Sequence, residues 1–206
     1  VTPLPAAVGQ EIIRVGCIDR LANISNETLN CFARILNKVA NSRIVIQDDV
    51  LEDSYAAKTF LDRARPAGIK RDRLDLAGTV KPTDRAALFA QIDIGLAPFP
   101  AISLENYYEM LWFGIPFVTL ADDRPGSRLG LALLSDIGLG ALGAETEKGY
   151  VDKSIMLASD LKALASIREN MRERIRGRRA FHGPAVAAEF EEACREMWQN
   201  WCQGTL

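Results

Sequence analysis

The sequence predicts an α/β domain built on an open, mostly parallel sheet with helices on both faces. Three observations carry that expectation. Short runs rich in β-branched apolar residues recur as far as Leu120, segments with apolar residues at three- and four-residue steps separate them, and Gly, Pro or cap-type residues mark most junctions. Strands that alternate with helices in this way are joined by right-handed crossovers, which makes the sheet parallel and covers both of its faces.

The first strand is expected over Glu11 to Ile18, an apolar run of the kind buried on both sides. Ser25 or Asn26 caps the next helix, where Leu29, Phe32, Leu36 and Val39 form one apolar stripe. Arg43 to Gln47 reads as the second strand, Ser54 to Ala64 as a helix ending near Pro66 and Gly68, and Arg73 to Ala77 as a short third strand. Pro82-Thr83-Asp84 opens a short helix reaching Ala90, and Ile92 to Leu96 is the fourth strand. Tyr107 to Phe113 is a helix stopped by Gly114, and Phe117 to Leu120 is the fifth strand. From Thr146 onward only helical periodicity remains, around Tyr150 to Ala158, Leu161 to Ile175 and Ala185 to Trp201. That helical tail, 146–206, either packs on the domain or reaches back to a neighbour. Residues 1–10 read as a linker and 11–206 as one domain. A first residue of Val and a Pro-rich opening are expected of a piece of something longer.

With 206 residues, 48% of them apolar, the chain has material for a packed core. Its 25 basic and 27 acidic residues leave a net charge of −2, so neither nucleic acid nor an anionic membrane is an expected partner. No stretch approaches the ~20 continuous apolar residues of a bilayer span, and no leader pattern opens the chain. Cys17, Cys31, Cys194 and Cys202 contain no Cys-x-x-Cys pair and are expected to be reduced structural thiols of a cytoplasmic protein. His182, the one histidine, lies between two helices and is expected on the surface. One His and scattered Cys give no metal-ligand spacing, so neither metal nor cofactor is expected, and Asp122-Asp123 alone cannot hold an ion. The five arginines of Arg172 to Arg179 have Glu169 and Glu173 adjacent or interleaved, as on a solvated helix face.

Ligands of open α/β sheets bind at the carboxyl ends of strands, where helix amino termini attract anions. The loop after the fourth strand, Ala97 to Asn106, is therefore the first place to look. Ser103 and Asn106 are cap-type residues that put a helix start near them, where a phosphate can dock; the alternative is that either one simply caps the helix while Glu105 favours its dipole. Tyr107, Tyr108, Trp112 and Phe113 either stack on a base or pack the sheet.

Gly16 to Leu36, Asn41-Ser42-Arg43, Asp93 to Leu96, Glu109 to Leu120, Ser127-Arg128 and the closing Arg195-Glu196-Met197-Trp198 together resemble the carboxyl-terminal half of the catalytic region of protein O-linked N-acetylglucosamine transferases and their SPINDLY-type relatives. The resemblance runs from about Gly9 to Trp198. It implies one Rossmann-like half of a GT-B fold, holding the uridine diphosphate of a nucleotide sugar. It also implies an upstream catalytic half for the protein acceptor, tetratricopeptide repeats before that, and an inactive fragment on its own.

Carried over residue by residue, the resemblance puts Arg20 and Asn23 at the leaving diphosphate, with Asn23 where the family has a Lys. The largest expected charge contribution is then absent, a loss typically of ~10²–10³ in rate. Lys81, in a neighbouring loop on the same sheet edge, can in principle reach that phosphate. Val80 and Lys81 match the backbone readers of the uracil edge, Ala86 stands at a family His, and Phe89 either covers the base or belongs to the core. Ser103, Glu105 and Asn106 occupy the diphosphate-holding turn, with Glu105 and Asn106 in place of threonines. A carboxylate ~4 Å from a phosphate at an effective ε near 20 costs ~4 kcal/mol per charge pair unless it turns away. Glu109 matches the acid on the ribose. The departures at Asn23, Ala86, Glu105 and Asn106 keep a second reading open, a non-catalytic glycosyltransferase-like scaffold binding a protein partner or another ligand.

Overall fold

The computed structural model describes residues 12–178 and 181–204; the expected linker over 1–10 lies outside them. Six strands, β1 Ile13–Ile18, β2 Ser42–Gln47, β3 Leu74–Ala77, β4 Ile94–Leu96, β5 Phe117–Leu120 and β6 Gly143–Ala144, pair in the order β3-β2-β1-β4-β5-β6, all parallel. The helices are α1 Asn26–Lys38, α2 Ser54–Ala64, α3 Arg85–Phe89, α4 Leu104–Trp112, α5 Leu129–Asp136, α6 Glu147–Ser159, α7 Leu161–Glu169, α8 Met171–Ile175 and α9 Gly183–Gln203. This is the doubly wound Rossmann-like order: the chain moves outward from β1 to β3, returns past β1, and moves outward again from β4. The strand order reverses between β1 and β4, so the crevice at their carboxyl ends is the position the fold reserves for a ligand.

Local chemistry sets the helix starts. Ser25 accepts the Thr28 N–H at 3.1 Å, Asp53 accepts those of Tyr55 and Ala56 at 2.7 and 3.1 Å, and Thr146 accepts that of Gly149 at 3.1 Å. Gly16 of β1 and Gly95 of β4 are register partners. A Cβ on Gly16 would meet Ile92 Cδ1 at 2.6 Å, and one on Gly95 would meet Phe117 Cβ at 2.6 Å, so the two strands nearest the crevice are packed tightly there.

Three expectations need correction. Leu129–Asp136 is helical and Gly143–Ala144 pairs with β5 as a sixth strand, where the sequence pattern showed neither. The expected helix over Leu161 to Ile175 breaks at Asn170 into α7 and α8. Helix α4 begins at Leu104, three residues before Tyr107. Of the two alternatives for the tail, α6 to α8 pack on the domain, but no residue of α9 is buried. Phe190, Trp198 and Trp201 of α9 are 71%, 62% and 61% exposed, with Trp198 and Trp201 stacked at 5.2 Å. His182 is exposed, as expected, and its Nδ1 accepts the Ala185 N–H at the start of this helix. Among the described residues no helix is long and apolar enough to cross a membrane.

Two of the four thiols belong to the core and two do not: Cys17 and Cys31 are fully buried, while Cys194 and Cys202 are exposed on α9. Burial, followed by the neighbouring Asp19 carboxylate, pushes the Cys17 thiol well above its ordinary value. Burial, then Glu147, pushes Cys31 up to about 11. Ellman's reagent at pH 8 is therefore expected to titrate Cys194 and Cys202 in the native chain and all four thiols after denaturation. A third native thiol reacting as fast contradicts the packing. A thiol whose folded value is raised stabilises the fold fully below its unfolded value, so stability is expected to fall as pH rises from about 9 through 11.

Candidate functional site

The loops that follow β1 and β4 meet at the switch point, and Asp19 joins them. Its buried carboxylate accepts the Ser103 N–H at 2.9 Å, the Ser103 hydroxyl at 2.7 Å, the Asn23 amide at 2.8 Å and the Arg20 N–H at 2.8 Å. The β4 loop is fixed at two further points. Thr28 bonds both the carbonyl and the N–H of Phe99, at 2.9 and 3.1 Å, and the Tyr150 hydroxyl donates to the Ala97 carbonyl at 3.0 Å. Asp48 at the end of β2 accepts the Leu21 N–H at 2.7 Å, which ties the β1 loop to β2 as well. A crevice of about 180 Å³ remains between these loops, lined by Asp19, Arg20, Asp48, Arg85, Ser103 and Asn106 among others. A more apolar cavity of about 560 Å³ opens on the other side of Arg20, between Leu21, Val50, Tyr55 and Phe60.

Ser103 occupies the N-cap position of α4 without capping it, because its side chain is held by Asp19. Asn106 is not a cap either: it lies in the first turn, and its carbonyl accepts from Arg85 at 3.3 Å. The N–H groups of Leu104 and Glu105 make no hydrogen bond among the described residues, and of these two residues Glu105 lines the crevice. Glu105 is exposed and is itself one of the residues that line the crevice. Asp48 and Asp49 also carry negative charge to this edge, but each accepts N–H bonds from the chain itself, Asp48 from Leu21 and Val50, Asp49 from the Gln47 amide.

Each expected residue has a definite place. Arg20 is exposed on the crevice wall. Asn23 spends its amide inward, on Asp19 and on Ser103 Oγ at 3.4 Å, so it braces the loop. Val80 is half-buried and Lys81 exposed; their N–H groups are unbonded among the described residues, while the Lys81 carbonyl accepts from Asp84 at 2.8 Å. Phe89 is a core residue, 1% exposed and stacked on Phe113 at 5.0 Å, with no face left for a base. Glu109 does not line the crevice. Arg85 stands in front of it and forks onto its carboxylate, with Nε at 2.7 and 2.8 Å and a further contact from Nη2. The aromatic cluster packs the domain: Tyr107 lies against Phe117 at 4.8 Å, and Trp112 lies beneath the Arg172 guanidinium at 4.0 Å. Arg172 is thus not the purely solvated residue expected of its helix.

Asp19 and Arg85 were missed. An acid directly after a strand that borders the switch point is a readable signal for Asp19. Nothing in the spacing of Arg85 and Glu109, 24 residues apart, announces their pairing. Among the described residues no group of three or more His, Cys, Asp or Glu could hold a metal ion.

Relatives and solved structures show the family and the fold to which this chain is similar. The SPINDLY protein of Arabidopsis thaliana, described as a probable UDP-N-acetylglucosamine–peptide N-acetylglucosaminyltransferase, is 33% identical over all of this chain. That of Hordeum vulgare is 32% identical over 99% of it. The chain spans 22% of the length of each. A mutant O-GlcNAc transferase of Thermobaculum terrenum superposes with a TM-score of 0.85 at 30% identity, over 95% of this chain and 38% of that one. The fold is accordingly one Rossmann-like half of the GT-B glycosyltransferase architecture. With the model of glycosyl transferase family 41 matching residues 8–183, the chain belongs to that family.

Proposed function

We propose that this chain is the donor-nucleotide half of a longer cytoplasmic protein O-glycosyltransferase, which moves N-acetylglucosamine from its uridine diphosphate to Ser or Thr hydroxyls of a protein acceptor. The observation that carries the reading is the switch-point crevice, lined by Arg20 and by Glu105, whose N–H is unbonded at the start of α4, as is that of the neighbouring Leu104. Oriented N–H groups at a helix start are suited to a phosphate, and three fixed points on the β4 loop hold them in place before any ligand arrives. The names of the SPINDLY relatives and of the Thermobaculum transferase supply the donor sugar and the acceptor class.

In this reading the acceptor oxygen attacks the anomeric carbon as the bond from that carbon to the diphosphate oxygen breaks, the hydroxyl proton passes to the departing diphosphate, and the departing charge falls on the amides of α4 and on Arg20. The N–H groups of Val80 and Lys81 face the uracil edge. No metal or other cofactor is invoked. The acceptor site and the tetratricopeptide repeats belong to an upstream portion, and the apolar face of α9, with Phe190, Trp198 and Trp201, is what that portion covers.

Incubation of the longer polypeptide with donor labelled in the sugar and an acceptor protein tests this. Label is expected on Ser or Thr, and an Arg20→Ala variant is expected to transfer ~10²-fold more slowly. No transfer, together with no donor binding, would instead favour the scaffold reading.

A further inference from the structure

The family resemblance puts an acid at the ribose and a lysine at the diphosphate; this chain has Glu109 at the first position and an uncharged Asn23 at the second. The structure rearranges both. Glu109 is withdrawn behind Arg85, and the group that faces the crevice from that wall is a guanidinium. Arg85 is held from several sides. Nε and Nη2 fork onto the Glu109 carboxylate, Nη2 reaches Asn106 Oδ1 at 3.3 Å, and the guanidinium carbon lies 5.3 Å from the centre of the Phe89 ring. Phe89 is itself immobilised against Phe113. Nη1 makes no hydrogen bond among the described residues, so one donor end of a pre-oriented cation is left over on the crevice wall. On the β1 side, Asn23 has turned its amide onto Asp19 and Ser103.

We infer that Arg85 supplies, from the α3 and α4 side of the crevice, the cationic contact to the donor diphosphate that Asn23 does not supply from the β1 side, and that Glu109 acts by positioning Arg85. This rests on the donor-nucleotide reading above. The cation is moved from one wall of the site to another, and the acid that would read a ribose becomes its anchor. A bidentate pair with one free donor end is a fitting arrangement, because the pair fixes the guanidinium plane while the free end meets an anion without rearrangement. The acids that line the same crevice, Asp19, Asp48, Asp49 and Glu105, make such a cation more necessary, since a diphosphate would otherwise meet Arg20 alone against those carboxylates.

The test is a calorimetric titration of the longer polypeptide with uridine and with uridine diphosphate, comparing wild type, Arg85→Gln, Arg85→Lys and the double variant Arg85→Gln/Asn23→Lys. Wild type is expected to prefer uridine diphosphate to uridine by at least ~10-fold. Arg85→Gln should weaken the diphosphate by ~10- to 100-fold and leave uridine within about twofold, and adding Asn23→Lys should restore at least about fivefold of the loss. Should Arg85→Gln fail to fold, Arg85→Lys carries the test, because an ammonium cannot both fork onto Glu109 and leave a donor end free, so the diphosphate should weaken by at least about fivefold while uridine stays within about twofold. Equal weakening of both ligands by Arg85→Gln would reduce Arg85 to a brace between α3 and α4, and no change in either would remove it from the site. A wild type that binds neither ligand would overturn the donor-nucleotide reading itself, and the role of Arg85 with it.

Discussion

Replacing Arg168 by Ala is expected to lower the unfolding free energy by ~3–5 kcal/mol, the cost typical of removing one partner from a buried charge pair. Arg168 of α7 is 2% exposed and donates to the carbonyls of Ile92 and Asp93 at 3.1 and 3.0 Å, at the entry to β4. Asp93 is fully buried, and its carboxylate accepts the Arg14 N–H at 2.8 Å at the start of β1. One guanidinium thus fastens the helical tail to the two strands that flank the crevice. Burial draws the Arg168 value down from its ordinary range, and the Asp93 carboxylate opposes that shift. Without the guanidinium, Asp93 and two strand-end carbonyls are left in a space where water enters poorly. Urea unfolding followed by circular dichroism reads the effect as a lower midpoint at an unchanged slope. A loss below ~1 kcal/mol would mean that the site hydrates easily and that the pair is incidental.

Asp19→Ala is expected to cost ~2–4 kcal/mol and to loosen the β4 loop. Four donors lose one acceptor at once: the N–H and hydroxyl of Ser103, the Asn23 amide and the Arg20 N–H. Each buried donor left unpaired costs ~1–3 kcal/mol, offset in part by water entering from the adjacent crevice. The cysteine beneath reports the same change, since the Asp19 carboxylate helps to hold the Cys17 thiol high. Amide hydrogen exchange should therefore speed up at Ser103, while Phe99, held independently by Thr28, keeps its protection. Unchanged exchange at Ser103 would show that the loop is held without Asp19.

Much of the fold was readable because its elements carry strong local signals. Strand β1 is a β-branched run, α1 pairs a Ser25 cap with one apolar stripe, and α2 ends where Pro66 and Gly68 follow. Helix α5, with the sequence Leu-Gly-Leu-Ala-Leu-Leu-Ser-Asp, is apolar at almost every position, so no polar face marks its period. Strand β6 is only Gly143 and Ala144, two residues with no preference for a strand, and pairing with β5 alone makes it one.

The site was legible as a location and less so as chemistry. The strand-end rule led to the loop after β4, and Arg20, Asn23, Ser103 and Asn106 do gather there. Their contacts are set by side chains distant in sequence. Asp19 takes the Ser103 hydroxyl that would otherwise cap α4, and Arg85 takes the Glu109 carboxylate to which the family resemblance gave a ribose. Phe89 had two open roles, and its partner Phe113, at the far end of the next helix, decided for the core.

The central claim is that a diphosphate settles against the open amides at the start of α4. Backbone amide spectra of the nitrogen-15-labelled protein, recorded during titration with uridine diphosphate, test it most directly. Saturable shifts are expected at Arg20, Leu104 and Glu105, with smaller ones at Val80 and Lys81. Shifts absent from Leu104 and Glu105 at saturating ligand, or confined to a remote element such as α9, would contradict the account.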